Sequence, residues 1–177
     1  MAFTIRLARA EDIPALTELI QSSVRELQKD DYSAEQREAA LGSVFGVDRR
    51  LIDDETYYVV ASGEVLAGCG GWSRRRTLFG SDQWHGREDS LLDPAQDAAK
   101  IRAFFVHPDF ARQGVASMIL HACEAAAEEY GFTHLEMGAT LTGVPFYLSR
   151  GYVEGERLEA ALPGGMHLPI IRMTRSI

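Results

Sequence analysis

Cysteine is scarce. The 177 residues hold only Cys69 and Cys123, far apart and without metal-ligand spacing, so no cysteine-based metal centre is expected. Two buried thiols in a reducing cytoplasm are the expectation. Basic charge is also short: 18 Lys and Arg stand against 26 Asp and Glu, a formal net charge of -8. General nucleic-acid binding usually needs a basic surface, so it is not expected here. The one dense basic run is Arg74-Arg75-Arg76. No apolar run is long enough to span a bilayer, and Met1-Ala2-Phe3-Thr4-Ile5-Arg6 lacks the apolar core of a signal peptide. No membrane partner and a cytoplasmic location are therefore expected. There is no Walker loop, zinc motif or nucleophile elbow. The cluster Gly68-Cys69-Gly70-Gly71 is no dinucleotide fingerprint, because no helix follows it; it reads as a bulge or a close backbone approach. Repeats, low-complexity tracts and dividing linkers are missing too, so 1–177 is expected to be one domain.

What is present is regular patterning. Phe3, Ile5 and Leu7 alternate with Thr4, Arg6 and Ala8, as in a half-buried strand. Glu11-Asp12 and Pro14 start a helix whose apolar stripe is Ile13, Leu16, Leu19, Ile20, Val24 and Leu27. Ser33 with Gln36 has the spacing of a capping box for a helix near 34–41. Residues 57–61 and 65–72 read as strands joined at Ser62-Gly63-Glu64. A long polar segment, 74–96, leads to an apolar strand over 99–107. A helix over 113–130 ends at Gly131, a strand covers 134–139, and a short helix near 143–149 is stopped by Gly151. Two further strands, 152–157 and 168–174, complete the sheet as an antiparallel pair.

Two motifs carry the chemistry. In Phe104-Phe105-Val106-His107-Pro108-Asp109-Phe110-Ala111-Arg112-Gln113-Gly114-Val115-Ala116-Ser117, a strand passes through a Pro-marked turn and a small-residue loop into a helix. Gly114 and Ala116 leave backbone amides uncovered there, and the helix dipole adds positive potential, a combination that suits a pyrophosphate. Downstream lies Gly143-Val144-Pro145-Phe146-Tyr147-Leu148-Ser149-Arg150-Gly151-Tyr152. Together the two runs resemble the GCN5-related N-acetyltransferase superfamily, over nearly the whole chain. The family's phosphate loop is Arg/Gln-x-x-Gly-x-Gly/Ala; Gly114 and Ala116 fill the small positions, while Ala111 departs at the first and Arg112 stands one place on.

The resemblance implies a single α/β domain of the acyl-CoA N-acyltransferase type, with a mixed central sheet flanked by helices. It implies acetyl-CoA as cosubstrate, no metal, and an amine acceptor. The cofactor would lie on Phe104, Phe105 and Val106 and on Arg112, Gln113, Gly114, Val115, Ala116 and Ser117. Thr140 stands where relatives carry a cofactor-contacting Asn. Tyr147, four residues before Gly151-Tyr152, matches the tyrosine that protonates the leaving thiolate. The glutamate of the histone-acetylating branch is replaced by Lys100, so that base does not carry over; His107, Glu136 or a water chain stand in its place. Segment 74–96, with Arg74, Arg75, Arg76, Trp84, His85 and Arg87, is either a wall for an acidic or aromatic acceptor, a solvated loop, or a homodimer contact. Two activities fit the resemblance: acetyl transfer to an amine of a small molecule or protein, and a non-catalytic acyl-CoA sensor on the same fold.

Overall fold

In the computed structural model, which describes residues 2–177, every expected element forms. Met1, which opens the N-terminal stretch read above, lies outside the described residues. β1 (Thr4–Leu7) is an edge strand, which is why Ile5 and Leu7 stay over a third exposed. α1 (Ile13–Leu27) buries Leu16, Leu19, Ile20 and Val24 along one side. Each such side chain contributes about 1.5–3 kcal/mol by leaving water. α2 (Ala34–Ala40) starts with the reciprocal capping box expected from Ser33 and Gln36. A five-residue helix that the patterning did not reveal, α3 (Arg49–Asp53), follows; Asp48 caps it by accepting from the Arg50 N–H at 3.0 Å.

β2 (Tyr57–Ser62) and β3 (Val65–Ser73) form the hairpin. Segment 74–96 then folds back on itself. Arg76 N–H donates to Ser90, Thr77 N–H to Glu88, and Leu92 N–H to Arg74. β4 (Ala99–Val106), α4 (Val115–Tyr130), β5 (His134–Thr140), α5 (Val144–Ser149), β6 (Val153–Ala161) and β7 (His167–Ser176) complete the chain. Gly131, at φ 113°, ends α4 as a C-cap should.

The seven strands lie in the order β1-β2-β3-β4-β5-β7-β6. Only β4 and β5 run parallel, so the sheet is mixed. α4 packs on one face over Ala67, Ile101 and Leu135. α1 and α2 cover the other face over Tyr57, Cys69 and Phe105. The glycine cluster in β3 does serve close approach: a Cβ on Gly68 would sit 2.4 Å from Val115, and one on Gly70 would sit 2.6 Å from the Phe104 ring. Cys69 and Cys123 are both buried and free. Burial pushes the Cys69 thiol up to about 12, which leaves it inert.

Candidate functional site

β4 and β5 pair only at Ala99–Leu135 and Lys100–Glu136 and then part. Each is held by its outer neighbour. β4 stays paired with β3 as far as Val106, and β5 stays with β7 as far as Thr140. Tyr32 fixes the far end of β5: its hydroxyl donates to the Pro169 carbonyl at 2.7 Å and accepts from the Leu141 N–H at 2.9 Å. The resulting gap holds a cavity of about 100 Å³.

A bulge in β4 decides what faces this gap. Ala103 takes φ 56°, and the register against β3 slips between Cys69 and Gly71. A non-glycine residue in that region is strained, and such bulges commonly re-aim side chains near sites. The Tyr57 hydroxyl braces the bulge by donating to the Ala103 carbonyl at 2.7 Å. Beyond it, Phe104 and Val106 turn to the α4 face, while Phe105 enters the α1 core, 5.9 Å from the Phe45 ring. The β5-facing edge of β4 beyond Lys100 has no strand partner among the described residues. Of the sequence-predicted residues, Phe104, Phe105, Thr140 and Tyr147 line the cavity.

Tyr147 is buried, packed between Phe104, Phe146 and Tyr152, and its hydroxyl meets no partner among the described residues. Burial raises its phenol well above the usual value, so it keeps its proton at neutral pH. Thr140 is spoken for in part, since its hydroxyl accepts from the Gly143 N–H at 3.0 Å and shapes the entry to α5.

The second half of the site is the start of α4. Arg112 and Gly114 both have positive φ, 60° and 86°, and turn the chain into the helix. Met118 is the first α4 residue whose N–H reaches a carbonyl, that of Gly114. The N–H groups of Arg112, Gln113, Gly114, Val115, Ala116 and Ser117 have no intrachain backbone acceptor among the described residues. A Cβ on Gly114 would meet nothing within 4 Å, so the cradle is open. Arg150, which sequence reasoning passed over, reaches this place and donates to the Ser117 hydroxyl at 2.6 Å.

The base candidates fare differently. Glu136 lies at the closed end of the strand pair, where Lys100 takes one carboxylate oxygen and Arg172 the other at 2.8 Å. Burial alone would raise this carboxyl, but the two cations outweigh it and hold it below the ordinary range. Both features weaken it as a base. His107 accepts the Asp109 N–H at Nδ1 (3.1 Å). Neutral His107 then carries its proton on Nε2 and offers no free acceptor nitrogen.

The cations of segment 74–96 form no free grip. Arg74 and Arg75 pair with Asp54, Arg76 with Asp97, and Arg87 with Asp48 and Asp89. Trp84 and His85 pack on each other. What the segment brings to the gap is Leu78, Phe79 and Gly80. With Val44 and Phe45 they wall its α1 side, and Arg102 joins them from β4. Arg102 donates to Asp48 and to the Gly80 carbonyl, each at 2.7 Å, and to the Thr77 carbonyl at 3.3 Å. Its place was readable in one respect: with Lys100 it is one of two charges inside an otherwise apolar strand.

Among the described residues no cluster of three or more His, Cys, Asp or Glu is placed to hold a metal, and no helix is long and apolar enough to cross a membrane.

The model of the acetyltransferase (GNAT) family matches residues 15–152. A search of curated proteins gives no match. Solved structures do match. A GCN5-related N-acetyltransferase (Aminotransferase, Class-II) from Rhodopseudomonas palustris is 24% identical over 100% of this chain and 97% of its own, with a TM-score of 0.73. PaiA N-acetyltransferase from Thermoplasma acidophilum, in complex with coenzyme A, is 14% identical over 100% of both chains, with a TM-score of 0.68. Ribosomal-protein-alanine N-acetyltransferase from Brucella melitensis is 16% identical over 98% of this chain and 99% of its own, with a TM-score of 0.64. At these identities the solved structures speak for the fold; the family model, which spans most of the chain, identifies this protein as a member of the acetyltransferase (GNAT) family and an acetyltransferase.

Proposed function

We propose that the protein moves an acetyl group from acetyl-CoA to a primary amine by direct attack in a ternary complex. One observation carries this reading: the unpaired edge of β4 leads straight to the open amides at the start of α4. A pyrophosphate suits those amides, and a pantetheine arm suits the strand edge, which it can pair as an added strand would. A CoA-bound protein of the same fold, PaiA N-acetyltransferase, is consistent with this.

A thioester needs no further activation, so holding the amine at its carbonyl supplies much of the rate. The amine nitrogen bonds to the carbonyl carbon. A backbone N–H near Phe105 or Val106 receives the oxyanion, a fixed donor worth on the order of 10²-fold. The carbon–sulfur bond then breaks, and the thiolate takes the Tyr147 proton. The amine's proton leaves to water, since Glu136 and His107 are both engaged. Tyr147 recovers its proton from water.

The test is release of free CoA thiol with a panel of amines, alongside calorimetry of CoA binding. Thiol release that depends on an amine supports the reading. Tight CoA binding with no turnover on any amine overturns it in favour of an acyl-CoA sensor.

A further inference from the structure

Arg102 narrows the class of acceptor. Its side chain is 2% exposed and stands in the wall of the gap cavity beside Phe45, Phe79 and Gly80. A guanidinium has five N–H donors in a fixed fork. Here three hydrogen bonds are made through Nη1 and Nη2, and Nε finds no partner among the described residues. A buried donor without a partner is costly, and one lining a cavity suits a ligand oxygen.

The local charge decides which oxygen. Arg102 and Arg87 both lean on Asp48, whose side chain is fully buried. Arg87 has a second partner in Asp89, but that carboxylate is 40% exposed and shared with solvent. Asp48 is therefore shared by two guanidinium groups, so Arg102 does not have a buried carboxylate to itself. Around Arg102 the lining is apolar: Val44, Phe45, Leu78, Phe79 and Ile170. The cavity, about 100 Å³, is smaller than the roughly 150 Å³ hollow that admits benzene, so only a short group enters it.

We infer that the acceptor is a small primary amine bearing a carboxylate, with one carboxylate oxygen on Arg102 Nε and its body against Phe45 and Phe79. This rests on the acetyl-transfer reading above, in which the α1 side of the gap is the acceptor's side. An amide carbonyl can take the same hydrogen bond, but with a carboxylate both partners are ionised and the bond gains their mutual attraction. Asp48 and Arg87 then act as positioning residues that hold the fork still.

Two measurements test it. The first follows the Arg102 Nε–H resonance by NMR in CoA-saturated protein titrated with propionate or butyrate, and with propionamide or butyramide. A saturable shift with the acids, at least about tenfold weaker with the amides, is expected. An unmoved resonance, or amides binding as tightly as acids, overturns the inference. The second compares matched amines that differ only in ending as acid, amide or methyl. The acids should show kcat/KM at least about tenfold higher, and Arg102→Lys, which keeps charge but lacks Nε, should erase the preference. If that variant does not fold, the resonance of the unmodified protein decides alone. Amines acetylated without preference for acids, or long peptides preferred over small acids, overturn the inference and leave the transfer reading intact. Acids bound at Arg102 with no amine acetylated overturn the transfer reading and leave the carboxylate site standing.

Discussion

The same two strands, β4 and β5, behave in opposite ways at their two ends. At the closed end Lys100 and Glu136 are paired in register, Arg172 joins the same carboxylate, and Glu156 joins Arg172. Every charge there is answered by another of this chain. At the open end the polar groups are left waiting: the edge of β4, the N–H groups of 112–117, the Tyr147 hydroxyl and Arg102 Nε. Of these, Arg102 Nε is fully buried without a partner, while the N–H groups of 112–114 face solvent, where a ligand can replace water. Ionisable side chains alone do not locate the site; the closed end is richer in ion pairs than the gap.

The sharpest way to break this comparison is to remove the carboxylate that anchors the open end. Asp48→Asn keeps the cap on α3 and deletes the counter-ion of buried Arg102 and half-buried Arg87. Breaking a buried pair from one side typically costs about 3–5 kcal/mol. Urea unfolding should show that loss; one below about 1 kcal/mol means Arg102 draws its stability from the Gly80 and Thr77 carbonyls instead.

Next in size is Tyr147→Phe. The hydroxyl has no partner in the protein, so its removal should leave melting temperature and CoA affinity near those of the parent. Turnover should fall by about 10²-fold, the usual scale of proton transfer. A fall in kcat with constant CoA binding reports a transition-state contact. Equal turnover reduces Tyr147 to a packing residue and gives the thiolate's proton to water.

Gly114→Val probes the other waiting group, the amide cradle. Its Cβ would meet no protein atom, so any loss of CoA affinity reflects the ligand's space and the positive φ of 86°. CoA should bind about tenfold more weakly by calorimetry, with strain of about 1–2 kcal/mol showing in unfolding. Unchanged affinity in the folded variant places the pyrophosphate elsewhere.

How far these features were legible in sequence depends on their range. Strands, helices and caps are local. Ser33 and Gln36 announce α2, Gly131 ends α4, and the small residues around Gly114 mark the cradle. The gap is not local. It arises because β5 stays with β7 and β4 with β3, and no pattern within either strand records that divergence. The bulge at Ala103 is invisible too, since alanine does not announce a positive φ; only the glycines opposite, Gly70 and Gly71, hinted at it. The arginines of 74–96 looked like a grip for acceptor because their partners, Asp48 and Asp54, lie some twenty to forty residues earlier. Arg102 was overlooked inside a strand whose composition said core.

The smallest expected effect belongs to the closed end, where pH provides the lever. Glu136 is buried, which by itself would raise its carboxyl, yet Lys100 and Arg172 hold it below the unfolded value of about 4.3. A group with a depressed folded pKa stabilises above its unfolded pKa and loses that contribution as pH falls through the folded one. Glu136→Gln keeps the shape and an oxygen for one donor, and Arg172 is 40% exposed and can turn to water. The cost at neutral pH should therefore be about 1 kcal/mol. Unfolding curves of parent and variant should differ by that constant amount above about pH 5 and converge only as pH falls through the depressed folded value. Turnover at neutral pH should be unaffected, because both carboxylate oxygens are engaged by Lys100 and Arg172. A variant that folds normally but loses turnover with an acid-side pKa would return Glu136 to the reaction as its base, and would mean the two ends of the strand pair are not separate in function.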